Sequence, residues 1–178
     1  MNLYFLRHAS AGVPRTNPIL DAKRPLDKEG KKHCLQLAQV LNALDIQFYL
    51  IVSSPLKRCL QTASLIGTET GYEAQIMHSP ALAPEANLKD FQKLLNECSK
   101  RENLLVVGHS PNLTTFLGSL LVPATSPAPA KVRLRKGSLA RIVLTRGPAT
   151  LQVLLDPRVV RALYTTSTKS SRRKTSRK

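Results

Sequence analysis

Three apolar runs along the chain each lead into a basic or imidazole side chain. Asn2-Leu3-Tyr4-Phe5-Leu6 stops at Arg7-His8. Tyr49-Leu50-Ile51-Val52-Ser53-Ser54-Pro55 is followed by Arg58. Leu104-Leu105-Val106-Val107-Gly108 is followed by His109. Short continuous apolar runs of this kind read as strands buried on both faces. Between them the spacing changes to that of helices. Cys34, Leu37, Ala38, Leu41 and Leu44 recur at three and four residues, which predicts a helix from Asp27, as N-cap, to Leu44. A second helix is expected from Pro55 as first helical residue to Ile66, with Arg58 in its first turn. Asn87, with Asp90 three residues on, caps a third whose face is Leu88, Phe91, Leu95 and Cys98. A fourth, from Pro111, carries Leu113, Phe116, Leu117, Leu120 and Leu121.

Alternating strands and helices predict an α/β fold with a mostly parallel sheet. The strands are expected at residues 2–7, 48–53, 74–78 and 103–107, with residues 9–26 a loop. Residues 131–145 and 149–155, joined near Arg146-Gly147-Pro148, read as an antiparallel pair at a sheet edge. Val122 to Ala130 is a stiff, proline-rich loop. From Thr165 the chain is Ser, Thr, Lys and Arg only. That composition cannot bury enough apolar area to offset ordering, so residues 165–178 are expected to be a disordered basic tail behind a single domain at 1–164.

Charge sharpens this division. Of a net +16, residues 1–130 hold 13 Lys and Arg against 10 Asp and Glu. Residues 131–178 hold 14 against Asp156 alone. The strand-end residues thus lie in a nearly neutral part, and the basic end is a candidate for weak, salt-sensitive polyanion contact only. No aromatic is interleaved with Lys169, Arg172, Arg173, Lys174, Arg177 and Lys178 to stack on bases. Cys34, Cys59 and Cys98 form no CxxC pair and read as reduced core thiols. No apolar run approaches a membrane span, and no signal-peptide pattern opens the chain, so a cytoplasmic protein is expected.

In an open parallel sheet, ligands bind beyond the carboxyl ends of the strands. Arg7, His8, Arg58 and His109 gathered there suit a phosphoryl group. Arginine matches phosphate oxygens in pairs and neutralises the charge of the transferring group. A neutral histidine can attack phosphorus and carry it as phosphohistidine, and the arginines should keep it neutral. The other histidine can donate a hydrogen bond. An acid to protonate the leaving group is expected at Glu85, which follows a predicted strand; Asp90 and Glu73 are weaker candidates. His33 and His78 read as surface or structural. Two arginines repel a divalent cation, so no metal is expected.

These segments resemble a known family. Leu6-Arg7-His8-Ala9 is similar to the RHG signature of the histidine phosphatase superfamily, with alanine in place of glycine. Ser53-Ser54-Pro55-Leu56-Lys57-Arg58-Cys59-Leu60-Gln61-Thr62-Ala63 resembles its SSPxxRxxQTA segment, and Val106-Val107-Gly108-His109-Ser110-Pro111 its GH segment. Arg24-Pro25-Leu26-Asp27-Lys28-Glu29-Gly30 looks like the RPLxxxG stretch of the compact SixA-type branch. The resemblance implies a three-layer α/β/α sandwich of phosphoglycerate mutase-like type and catalysis without metal or cofactor. It makes His8 the nucleophile and adds Arg24 to the phosphate pocket formed by Arg7, Arg58 and His109. The substrate it implies is a phosphohistidine-bearing protein in signal transduction or sugar phosphotransfer. A phosphate ester and a polyanion-binding role are the alternatives, and a monomer is expected.

Overall fold

The computed structural model describes residues 1–99 and 102–164; the expected basic tail lies outside them. Six strands form one sheet: β1 (Asn2–Arg7), β2 (Leu50–Ser53), β3 (Met77–His78), β4 (Leu104–Gly108), β5 (Leu139–Val143) and β6 (Thr150–Leu155). Their order is β3-β2-β4-β1-β5-β6. β1, β2, β3 and β4 run parallel, while β5 and β6 close one side antiparallel. The α/β sandwich read from the sequence is therefore the observed architecture.

Successive residues of a strand face opposite sides of the sheet. Leu3 and Phe5 of β1, with Leu104 and Val106 of β4, join the cluster under α4 (Leu88–Glu97) and α5 (Asn112–Leu120). Tyr4, Leu6, Leu105 and Val107 join the cluster under α2 (Lys28–Ala43) and α3 (Lys57–Glu69). The central strands are continuous apolar runs because helices cover both faces. On one face Phe91 stacks on Phe116 with ring centroids 4.7 Å apart.

The structure departs from the sequence reading in several places, among them a helix at residues 157–164. The expected loop 9–26 contains a one-turn helix, α1 (Pro18–Ala22), capped by the Asn17 side chain and opened by Pro18. The second helix starts at Lys57 rather than Pro55, because Leu56 stays extended and donates its N–H to Ser54 Oγ. The expected strand 74–78 shrinks to two residues. The expected strand 131–145 is a strand only from Leu139. Residues before it turn under the end of β1, where Gly137 N–H donates to the carbonyls of Arg7 and His8 at 3.0 and 3.1 Å. Gly137 has φ +82°, a conformation glycine adopts without strain. By contrast the cap of α4 is as read: Asn87 and Asp90 form a reciprocal capping box.

Candidate active site

β1, β2 and β4 are adjacent and parallel, so their carboxyl ends meet at one edge. His8 N–H continues the ladder to Gly108 O, and Ser54 N–H continues it to Val107 O. This brings His8, Arg58 and His109 together from three distant parts of the chain. The rings of His8 and His109 lie 5.1 Å apart. His8, Arg24, Arg58 and His109 are all buried.

Local contacts explain why the surrounding residues are what they are. Thr62 Oγ1 accepts from Ala9 N–H and donates to Arg58 O, pinning the first turns of α3 to the end of β1. Gln61 accepts from Leu26 N–H at 2.7 Å, and Ala63 is fully buried. Asp27 caps α2 through Gly30 N–H and also accepts from Ser10 Oγ and Gly12 N–H. A side chain at Gly30 would meet the carbonyl oxygen of Ser10 at 2.0 Å, so only glycine lets α2 start this close to the β1 exit.

The first histidine is oriented by its own backbone. His8 Nδ1 lies 2.8 Å from Ala9 O. A carbonyl only accepts, so Nδ1 carries the proton and Nε2 of the neutral ring keeps its lone pair. Burial, and to a smaller extent the charges of Arg58, Arg7 and Lys136, push the His8 pKa down to about 4. The sequence reading credited the arginines alone; burial is the larger cause. His109 is held lower still, at about 3, again chiefly by burial, then by His8, Arg58, Arg7 and Arg24. Its Nε2 sits 2.8 Å from Ser54 Oγ and 3.3 Å from Cys59 Sγ. Cys59 is a core thiol as expected, with its pKa raised to about 12 by burial, but it also touches the site.

The guanidinium groups are partly engaged. Arg7 Nη1 donates to Leu134 O, and Arg24 Nη1 to Ala11 O. Arg7 Nε and Arg58 Nε are buried without a hydrogen-bond partner among the described residues. Two buried charged donors in that condition are chemically matched to an oxyanion.

One residue went unnoticed in the sequence. Asp21 of α1 accepts from Arg24 Nε at 2.7 Å and from Arg58 Nη1 at 3.2 Å. The Arg24 hydrogen bond above all holds its carboxyl down at about 2. Its spacing of three from Arg24 was the available signal. Glu85 is exposed on the loop after β3, and its neighbours Ala83 and Ala86 accept from Asn112 Nδ2, three residues after His109. Asp90 serves the α4 cap and Glu73 is exposed. His33 is structural: its Nε2–H donates to Gly137 O at 2.8 Å, while His78 is exposed.

Known proteins share this fold. The model of the histidine phosphatase superfamily (branch 1) matches residues 3–97. An uncharacterized protein of Picosynechococcus sp. is 32% identical over 159 residues, covering 88% of this chain and 92% of that protein. The protein histidine phosphatase SixA, complexed with tungstate, superposes with a TM-score of 0.73 at 22% identity, over 88% of this chain and 97% of SixA. The alpha-ribazole phosphatase of Shigella flexneri gives 0.67 at 20% identity, over 88% and 97%. Mycobacterial glucosyl-3-phosphoglycerate phosphatase with VO3 gives 0.63 at 18%, over 85% and 97%. Among the described residues no helix is long and apolar enough to cross a membrane. With its fold shared by these phosphatases and its first half matched by the family model, the chain belongs to the histidine phosphatase superfamily, branch 1.

Proposed function

We propose that this protein is a phosphohistidine phosphatase that works through a phosphoryl group carried on His8 Nε2. The observation that carries the reading is the pairing of that free, unprotonated Nε2 with the buried, unpartnered Nε–H donors of Arg7 and Arg58. Tungstate and VO3 in two structural relatives are oxyanions of the kind such donors suit.

The substrate phosphoryl group enters among Arg7, Arg58, Arg24 and His109, and its charge is neutralised as the bond to the leaving group lengthens. His8 Nε2 forms the new N–P bond in line, while Nδ1–H stays on Ala9 O and keeps the ring upright. Water then attacks phosphorus, its proton goes to the departing phosphate, and His8 returns as the neutral ring.

The acid balance favours an N–P over a C–O–P substrate. An alkoxide must be protonated as it leaves. Asp21 is ionised by Arg24 and Arg58, and Glu85 is exposed to solvent on the loop after β3. A substrate imidazole whose other nitrogen bears a proton leaves as a neutral molecule and needs no acid from the enzyme.

The test is a dephosphorylation panel of phosphohistidine proteins, phosphotyrosine peptides and small phosphate esters, with His8→Ala as control. Phosphohistidine should turn over fastest, and a rapid quench should trap an acid-labile, alkali-stable phosphoenzyme. Full activity in His8→Ala ends this reading. Faster turnover of sugar or nucleotide phosphates moves the protein to the small-molecule phosphomonoesterases.

A further inference from the structure

Residues 12–20, from Gly12 to Leu20, are exposed at every position. Val13 and Ile19 are the two most exposed large hydrophobic side chains among the described residues, at 84% and 68%; Leu20 is at 47%. This exposure does not come from a slack loop. Arg24 Nη1 holds the carbonyls of Ala11 and Gly12, Asp27 holds Gly12 N–H, Asp21 holds Arg15 N–H, and Asn17 caps α1. The backbone is pinned while its apolar side chains face outward, and α1 buries none of its residues. Large apolar side chains held out to solvent on a fixed scaffold mark a surface for another molecule.

The lip belongs to the rim of the phosphate pocket. Ile19 and Leu20 directly precede Asp21, which reaches Arg58 at 3.2 Å. At a rise of about 1.5 Å per residue they stand within roughly 3 Å of Asp21 along the helix axis. The rim is also cationic. Arg15 and Lys23 are exposed on the same segment, and Lys136 is exposed close enough to His8 for its charge to act on the ring.

We propose that Val13, Ile19 and Leu20 dock the body of the protein that carries the phosphohistidine, a folded domain presenting an apolar surface flanked by carboxylates. The inference rests on the phosphohistidine phosphatase reading. Geometry and charge select this occupant. His8 is only 6% exposed, so a phosphoryl group reaching it on a short imidazole side chain draws its parent surface down onto the rim. A small ester seated at His8 leaves the lip uncovered. A second copy of this chain would bring the exposed Arg15, Lys23 and Lys136 of each rim face to face.

The experiment compares Val13→Ser/Ile19→Ser/Leu20→Ser with the unaltered protein on two N–P substrates, phosphoramidate and a histidine phosphotransfer domain phosphorylated on its histidine. Removing central apolar contacts should lower kcat/KM for the domain by about tenfold or more, through KM. Phosphoramidate turnover and the Tm should stay unchanged. Ile19→Glu, a single change at an exposed position, should weaken the domain further by repelling its carboxylates. Equal kcat/KM for the domain in all three proteins overturns the docking surface, as does an equal loss on phosphoramidate. Phosphoramidate hydrolysis with the domain untouched also overturns it and leaves the phosphatase reading standing. If the unaltered protein hydrolyses neither N–P substrate but turns over phosphate esters, the phosphohistidine reading itself is wrong, and the docking surface falls with it.

Discussion

Ser54 Oγ lies 2.8 Å from His109 Nε2, and both residues are buried. Ser54 Oγ also accepts from Leu56 N–H. When the hydroxyl donates to Nε2, the neutral His109 ring carries its proton on Nδ1, and Cys59 Sγ lies 3.3 Å from the same Nε2. Ser54→Ala removes the donor from a buried acceptor, a loss of about 1–3 kcal/mol. On the order of tenfold in kcat should disappear, with a smaller effect on KM. Long-range proton–nitrogen NMR should show Nδ1–H on His109 in the native protein and a mixture in the variant. Ser54→Thr, which keeps the hydroxyl, should restore both.

The depressed histidine pKa values have two consequences of the same sign. His8 must be neutral to attack, and with its pKa at about 4 rather than near 6.5 it is protonated only to a minor extent at pH 5 and stays neutral from about pH 6 upward. An NMR titration of the free protein should find no His8 protonation between pH 6 and 8 and its midpoint near pH 4. Stability follows linkage. Below pH 6.5 the unfolded chain binds protons that the buried rings refuse, so stability is full above about pH 6.5 and declines as pH falls toward about 4. For His8 alone this is on the order of 3 kcal/mol. Urea midpoints between pH 7 and 4 should show the decline, and His8→Asn should make it shallower, with the His109 share remaining.

Asp21 stands against Arg58 with a negative charge, close to where a phosphoryl group would bind. Asp21→Asn removes a charge that opposes an incoming dianion and also loosens Arg24 and Arg58. Inhibition by inorganic phosphate should tighten several-fold, more at low salt than at high, while kcat falls. Glu85→Gln is the matched control and should change neither. Weaker phosphate inhibition in Asp21→Asn would show that holding the arginines in place matters more than the charge.

Gly30→Ala puts a methyl group against the Ser10 carbonyl. Either α2 or the β1 exit must shift. Thermal unfolding should register a loss of about 1–3 kcal/mol. Activity should fall as well, since Ser10 is two residues from His8. A variant as stable as the native protein would mean that the helix start yields without cost.

The strand ends were legible because buried parallel strands must be apolar throughout, so Arg7-His8 and Gly108-His109 break the pattern abruptly. The resemblance to the histidine phosphatases rested on those same breaks. The helices under the sheet were legible for the same reason, and the α4 cap because a side-chain hydrogen bond three residues away is local. Tertiary structure decided everything that joins distant segments without a periodic signal. Residues 131–138 have the composition of a strand, but the backbone groups of Leu134 and Gly137 are used by Arg7 and His8 instead of by the sheet. Asp21 and Cys59 are an ordinary loop acid and an ordinary core thiol in the sequence. Only folding places one between two arginines and the other beside His109. The strand ahead of Glu85 is only two residues long because it pairs solely at the sheet margin. From the sequence alone the strands and the basic and imidazole side chains at their ends can be read, because apolar runs and charge are local properties. Which nitrogen is free, which arginine is occupied and which apolar side chains line the entrance depend on contacts across the fold.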